Sequence, residues 1–382
     1  MVEMFTARTS EVDTFDEAIA EIESQIDFSS LKKYSGGIIF CCMEFLESGM
    51  VQALCETLPF DVIGMTSMGT ADLQGYGFFD LTLTVLTSDE VRFKAGMVHD
   101  INSSNHRDKI EELYKGISAD GEPSLIFVFM PFVKDVAGYE LLDAADKACN
   151  GAELWGALPT SIDVIQSRLG VMCNGVAHES SMAMLSLCGP VTPRYVVANL
   201  PENIISNTRG IITKSDGAVL MEVNDMSAME YFKHLNVEVT TENLRATPLL
   251  IYREGTQKPV ALAIFEVTED GAFLMGGEIP QGAAVSVGGI DATTIIESCR
   301  EGLAELLAME NRNATVILPC VSRGVMMIPD QEGEMRLIYE TLKESGLPYA
   351  MGYSGGEACP MKDAEGKMHN RFHNYTFCAC VL

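Results

Sequence analysis

The chain has 382 residues, 47% of them hydrophobic and 21% charged, a globular balance that excludes an intrinsically disordered protein. Its formal net charge of −28 disfavours nucleic acid and anionic membrane surfaces as partners, because both are polyanions. A chain of this length exceeds the usual single core, so two domains are expected.

The acidic N-terminus, MVEMFTARTSEVDTFDE, has no apolar signal core, and the longest apolar runs (GGIIF and SLIFVFM) are strand-sized. The expected location is the cytoplasm. Eleven cysteines without a CxxC pair, together with 22 methionines, fit a reducing compartment. Cys41, Cys42, Cys378 and Cys380 lie in apolar strands and are expected to be free thiols, since neighbouring strand residues point to opposite faces.

In chain order, the first helix is expected at TFDEAIAEIESQI, with Thr14 and Glu17 as a capping box. A pattern then recurs three times. It runs through GGIIFCC, MEFLESGMVQALCETL, FDVIGM and FFDLTLTVL; then SLIFVFM, KDVAGYELLDAADKACNG, AELWGA and HESSMAMLSL; then ATVILPC, QEGEMRLIYETLKESG, PYAMGY and HNYTFCACVL. Each unit reads strand, helix, strand closing on a glycine (Gly64, Gly156, Gly352), irregular loop, long strand. Between the second and third units, GIITKSDGAVLMEVND reads as a hairpin turning at Ser215-Asp216-Gly217, and Ser227 with Glu230 caps a helix. PLLIYRE, PVALAIFEVTEDGAFLMGG and AAVSVGG are further strands, and a long helix opens in SVGGIDATTIIESCREGLAELLAM. The expected fold is α/β (α+β): two domains, 1–209 and 210–382, of mixed sheets flanked by helices in a layered sandwich built on the repeated strand–helix–strand–strand unit.

Five stretches in the second half, RGIITKSDGAVLMEVNDMSAMEYF, GGEIPQGAAVSVG, PCVSRG, GYSGGEACPM and HNYTFCACVL, together resemble the FIST proteins. FDVIGMTSMG and the strand after it extend the resemblance into the first half. It implies an N-terminal and a C-terminal FIST module, intracellular sensing of a small molecule, and amino acids as one ligand class. The family's Cys-x-x-Arg pair corresponds to Cys320 and Arg323, and its Gly-Glu to Gly356 and Glu357; Ser354-Gly355 replaces the aromatic residues common before that pair. Relatives are often fused to an output module. None is read in this chain, so the expected partners are a small-molecule ligand and a separate signalling protein, with no nucleic acid and no membrane; a homodimer is left open.

The candidate ligand-binding residues are therefore Arg323, Glu357, Cys320, Gly356 and Gly355. Arg323 follows a strand at its C-terminal end, where ligands bind in open α/β sheets, and its guanidinium suits a carboxylate. Gly355 and Gly356 would bend the loop so that Glu357 faces Arg323 and takes an ammonium. The structural alternative is an ion pair between Arg323 and Glu357. The alternative function is an enzyme, a hydrolase or transferase using Cys320 or Glu357, with His369 or His373 as base; a pure interaction scaffold is a third. His369 and His373 have chelating spacing, but HNYTFCACVL reads as strand, and no histidine stands out as a heme ligand, so no cofactor is expected. His99 and His106 read as solvated loop residues, and GMTSMGTADLQGYG as a connecting or pocket-lining loop without a phosphate fingerprint.

Overall fold

The computed structural model describes the whole chain except residues 162–168, 179, 201–207, 241–242 and 254–257. Glu179 and Glu254, which fall in two expected strands, lie outside the described residues. The first unit comprises β1 (Glu3–Thr9), α1 (Phe15–Gln25), β2 (Tyr34–Cys41), α2 (Met43–Glu47), α3 (Met50–Thr57), β3 (Val62–Thr66), a hairpin of β4 (Thr70–Asp72) and β5 (Tyr76–Gly77), and β6 (Leu81–Ser88). The second comprises β7 (Arg92–Val98), α4 (His106–Ile117), β8 (Leu125–Phe129), α5 (Gly138–Ala148), β9 (Glu153–Ala157), a hairpin of β10 (Val171–Cys173) and β11 (Val176–His178), and β12 (Met182–Cys188).

The third unit starts at β13 (Arg194–Ala198), and a separate antiparallel sheet is inserted after it. That insert contains β14 (Gly210–Asp216), β15 (Val219–Val223), β16 (Met226–Ser227), α6 (Ala228–His234), β17 (Leu249–Tyr252), β18 (Val260–Leu262), β19 (Ile264–Val267), β20 (Phe273–Met275) and β21 (Ala284–Val287). The unit resumes with α7 (Ala292–Ala308), β22 (Thr315–Pro319), α8 (Val321–Met326), α9 (Gly333–Ser345), β23 (Tyr349–Gly352), a hairpin of β24 (Glu357–Lys362) and β25 (Met368–His373), and β26 (Phe377–Val381). The repeated units are present and longer than expected, because each also owns a leading strand and helix.

The three units pair their strands in the same way. β2 with β3, β8 with β9 and β22 with β23 are parallel, and β6, β12 and β26 lie antiparallel on the other side of β2, β8 and β22. The leading strands β1, β7 and β13 complete that edge. The opposite edge is exchanged cyclically. The hairpin of the second unit pairs through β10 with β3, that of the third through β24 with β9, and that of the first through β4 with β23. Three six-stranded sheets result, each containing strands from two units. Pairing of β13 with β26, β24 with β9 and β4 with β23 also crosses residue 210, so the two expected segments share sheets.

Strand alternation explains the layering. One face of each sheet enters a common core, through Ile38 and Phe40, Phe127 and Phe129, and Cys378 and Cys380. The other face meets that unit's own helices: α1 and α3 on Leu83 and Val85, α4 and α5 on Met182 and Met184, α7 and α9 on Phe377 and Ala379. All eleven cysteines are free thiols. The capping box at Ser227 and Glu230 forms, whereas Thr14 caps α1 without its side chain and instead its N–H donates to Glu11 at 2.6 Å. The polar loop expected around His106 is the start of α4, and GTADLQGYG contains β4 and β5. Among the described residues no helix is long and apolar enough to cross a membrane.

The glycines of the second strand are steric requirements. A Cβ on Gly156 would stand 1.8 Å from the backbone oxygen of Val128, and one on Gly64 2.4 Å from that of Ile39. Gly156→Ala is expected to force β8 and β9 apart and destabilise by at least about 1–3 kcal/mol in urea unfolding. Gly116→Ala, where a Cβ meets nothing within 4 Å, is the control and is expected to be neutral or stabilising. Equal stability of the two variants would contradict the steric account.

Candidate ligand-binding site

The site expected at Arg323 and Glu357 divides into a closed ion pair and a buried acid. Arg323, on the short helix α8, is 0% exposed. Its Nε and Nη2 donate to Glu334 Oε1 at 2.8 and 2.6 Å, Nη1 donates to Ser298 Oγ and the Tyr375 carbonyl at 3.0 Å each, and Nη2 donates to the Ile295 carbonyl at 3.0 Å. All five guanidinium hydrogens are engaged. The expected clamp on a ligand carboxylate is therefore corrected: Arg323 has no donor to offer, and its ion-pair partner is Glu334 on α9, not Glu357. Burial opposes the charge on Arg323, but Glu334 outweighs it and holds the pKa above the usual arginine value. Tyr353 donates to the other oxygen of Glu334 at 3.2 Å. The group ties α7, α8, α9 and the approach to β26 together.

Glu357 begins β24 and is fully buried. Its Oε1 lies 2.6 Å from Ser354 Oγ and its Oε2 accepts from Thr376 Oγ1 at 2.6 Å. Ser354 Oγ also lies 3.0 Å from the Pro319 carbonyl, and a hydroxyl has one hydrogen for these two contacts. A protonated Glu357 resolves the count: its O–H donates to Ser354, which donates to Pro319. Burial pushes the Glu357 pKa up to about 8, against the lowering effect of Ser354, Thr376 and Cys320. Burial and the hydrogen-bond count at Ser354 both favour the neutral acid.

Cys320 precedes α8 and is 2% exposed, and burial, reinforced by Glu357, raises its pKa far above the ordinary thiol range. Neither expected base reaches it. His369 contacts Asp363 at 2.7 Å, and His373 Nε2 lies 3.2 Å from the Cys359 carbonyl, with burial lowering the His373 pKa to about 4. Burial holds Cys320 as a thiol, neither expected histidine reaches it, and its hydrogen-bonded neighbour Glu357 has a raised pKa that makes it a poor base, so the nucleophile reading finds no support. Among the described residues no group of three or more His, Cys, Asp or Glu could hold a metal ion.

Gly355 and Gly356 are where the buried elements reach open space. Gly356 adopts φ 142°, a region that favours glycine, and a Cβ there would stand 2.6 Å from the Phe372 ring. Gly355 walls two adjoining cavities of about 140 and 570 Å³, which also share Phe132 and Phe265. Phe132 follows β8 and Phe265 lies on β19; they are 47% and 58% exposed, unusual for phenylalanine. The smaller cavity adds Val325 and Tyr375, and the larger Tyr139, Phe372 and Asn374. Apolar walls with a few polar groups are what a small organic ligand requires.

The sequence matches the FIST N domain over residues 36–226 and the FIST C domain over residues 228–360. The chain belongs to the FIST family. FIST domains are generally small-ligand sensory domains of signalling proteins. No curated protein matches this FIST chain. Among solved structures, a cyanuric acid hydrolase from A. caulinodans is similar at a TM-score of 0.25 and 8% identity, over 48% of this chain and 71% of that one. A likeness that remote carries no argument about this FIST protein.

The Glu357 proton has a testable sign. Between the unfolded value of 4.5 and the folded value of about 8, the unfolded chain releases a proton that the native state keeps. Stability contributed by the neutral acid is present below 4.5 and falls as pH rises, by up to about 1.4 kcal/mol per pH unit. Glu357→Gln keeps the shape without the proton. The difference in unfolding free energy, wild type minus variant, is expected to decline from pH 5 to pH 8; a flat difference would show that Glu357 ionises in the folded state.

Proposed function

We propose that this protein is a small-molecule sensor whose ligand occupies the apolar cleft beside Gly355, and that its output passes through a separate signalling protein. The observation that carries the site is the pair of exposed phenylalanines, Phe132 and Phe265, facing cavities that begin at the family's Gly-Glu turn. Membership of a family of sensory domains supports the function, and small organic acids, amino acids among them, are the proposed ligands. Tight association is favoured where the ligand covers both rings, because burial of apolar area supplies most of the binding free energy.

A thermal-shift screen of small metabolites tests this reading. A ligand at a hundred times its dissociation constant stabilises by about 2.7 kcal/mol, which corresponds to a rise of roughly 3 °C for a chain of this size. Phe132→Ala and Phe265→Ala remove exposed rings, so the fold should survive, and each is expected to weaken the ligand about 10-fold. Shifts that persist unchanged in both variants would place the site elsewhere, and a library that shifts nothing would leave the sensory reading without its ligand.

A further inference from the structure

A third cavity, of about 350 Å³, continues from the larger one: Tyr139, Glu140 and Phe372 wall both. Its character is different. Four carboxylates line it, and each already has a donor. The Ala137 N–H donates to Glu140 at 2.8 Å, Lys147 pairs with Asp143, Asn370 donates to Asp146, and Arg253 pairs with Glu278 at 3.1 Å. Arg371, on β25, is the contrast. It lines the same cavity, but its side chain makes no hydrogen bond and no ion pair within 4 Å among the described residues, and its Nε is buried without a partner.

An unpartnered guanidinium in a partly closed cleft is unfavourable, because its desolvation goes uncompensated. Burial, then the nearby Arg253, holds the Arg371 pKa below the usual arginine value, while Asp146, Glu278 and Asp363 act in the opposite direction from beyond ion-pair range. A planar anion that accepts two N–H bonds from Arg371 would relieve both effects. The surroundings select its charge. The four carboxylates of the wall are matched by four cations, Arg107, Lys147, Arg253 and Arg371, so a single added negative charge is accommodated at Arg371; against a chain at −28 a dianion such as phosphate meets more long-range repulsion than a singly charged carboxylate does.

We propose that the cleft at Arg371 is the anion subsite of this protein's ligand, and that the ligand is a monocarboxylic acid whose apolar body runs past Phe372 toward Phe132 and Phe265. This rests on the sensory reading and deepens it. Phe372 is the hinge of the arrangement: its ring packs where Cβ atoms on Gly138 and Gly356 would collide with it, at 2.8 and 2.6 Å. The carboxylate-binding role expected of Arg323 passes to a second arginine that has donors to give.

The test is calorimetric titration of the full chain with hexanoate, 3-phenylpropionate, its neutral amide and inorganic phosphate. Wild type should bind 3-phenylpropionate saturably, with the amide at least 10-fold weaker and phosphate undetected. Arg371→Gln should weaken the acid at least 10-fold and leave the amide unchanged, and Arg371→Lys should restore part of the loss. The melting temperature of Arg371→Gln should match wild type, since no internal hydrogen bond is removed. Equal binding of acid and amide, an acid affinity unaffected by Arg371→Gln, phosphate binding in place of the acids, or no binding of either acid would each overturn the subsite. The sensory reading would survive those results if neutral compounds still gave shifts that Phe132→Ala weakens.

Discussion

The cyclic exchange of edge hairpins holds the rest of the molecule in place. Each of β3, β9 and β23 obtains its last antiparallel neighbour from a different unit. A six-stranded sheet therefore cannot be completed within one unit. The strand ends converge, and their polar groups bond across units: the Thr160 N–H donates to the Thr66 carbonyl at 2.9 Å, the Gly355 N–H to that of Leu158 at 2.9 Å, and Ser67 Oγ to that of Tyr353 at 3.0 Å. The turn leading to Glu357 lies in this junction. Gly355 thus contributes backbone hydrogen bonding to the interior and a wall to the cleft.

Around that junction the protein buries charge and acidity in two compensated forms. Arg323 and Glu334 are an ion pair with every guanidinium hydrogen placed, a geometry in which Coulomb attraction and hydrogen bonding offset desolvation. Glu357 solves the same problem by keeping its proton, with Ser354 and Thr376 taking up its hydrogen-bonding capacity. Neither group is left with a vacancy for a ligand. The open polar capacity lies one strand away, at Arg371, and the open apolar capacity at Phe132 and Phe265.

Much of the fold was legible because it rests on local periodicity. The parallel strands, the helices between them and the closing glycines carried clear signals, as did the Ser227 cap. The leading strands were harder: β7, RFKAGMV, is partly exposed along its length and shows no clean alternation. The exchanged strands β4 and β10 have three residues each, too short for a period, and their partners lie in other units. The pairing of Arg323 was missed for a related reason. Glu334 shares the inner face of α9 with Ile338 and Leu342, and a carboxylate on an apolar stripe was the available sign that a buried cation waited opposite. Phe132 and Phe265 carried no distinguishing signal in the sequence, since exposure of an aromatic ring is a property of the assembled surface.

Hydrogen–deuterium exchange, with and without a compound that raises the melting temperature, tests most directly where the ligand sits. Ligand-dependent protection is expected in the segment from Phe132 to Tyr139, on β19 and across residues 355–374. The amides of α7 and α9, which enclose Arg323, should be unchanged. Protection concentrated on α7 and α9, with none near Phe132 or Phe372, would contradict the account and return the ligand to Arg323.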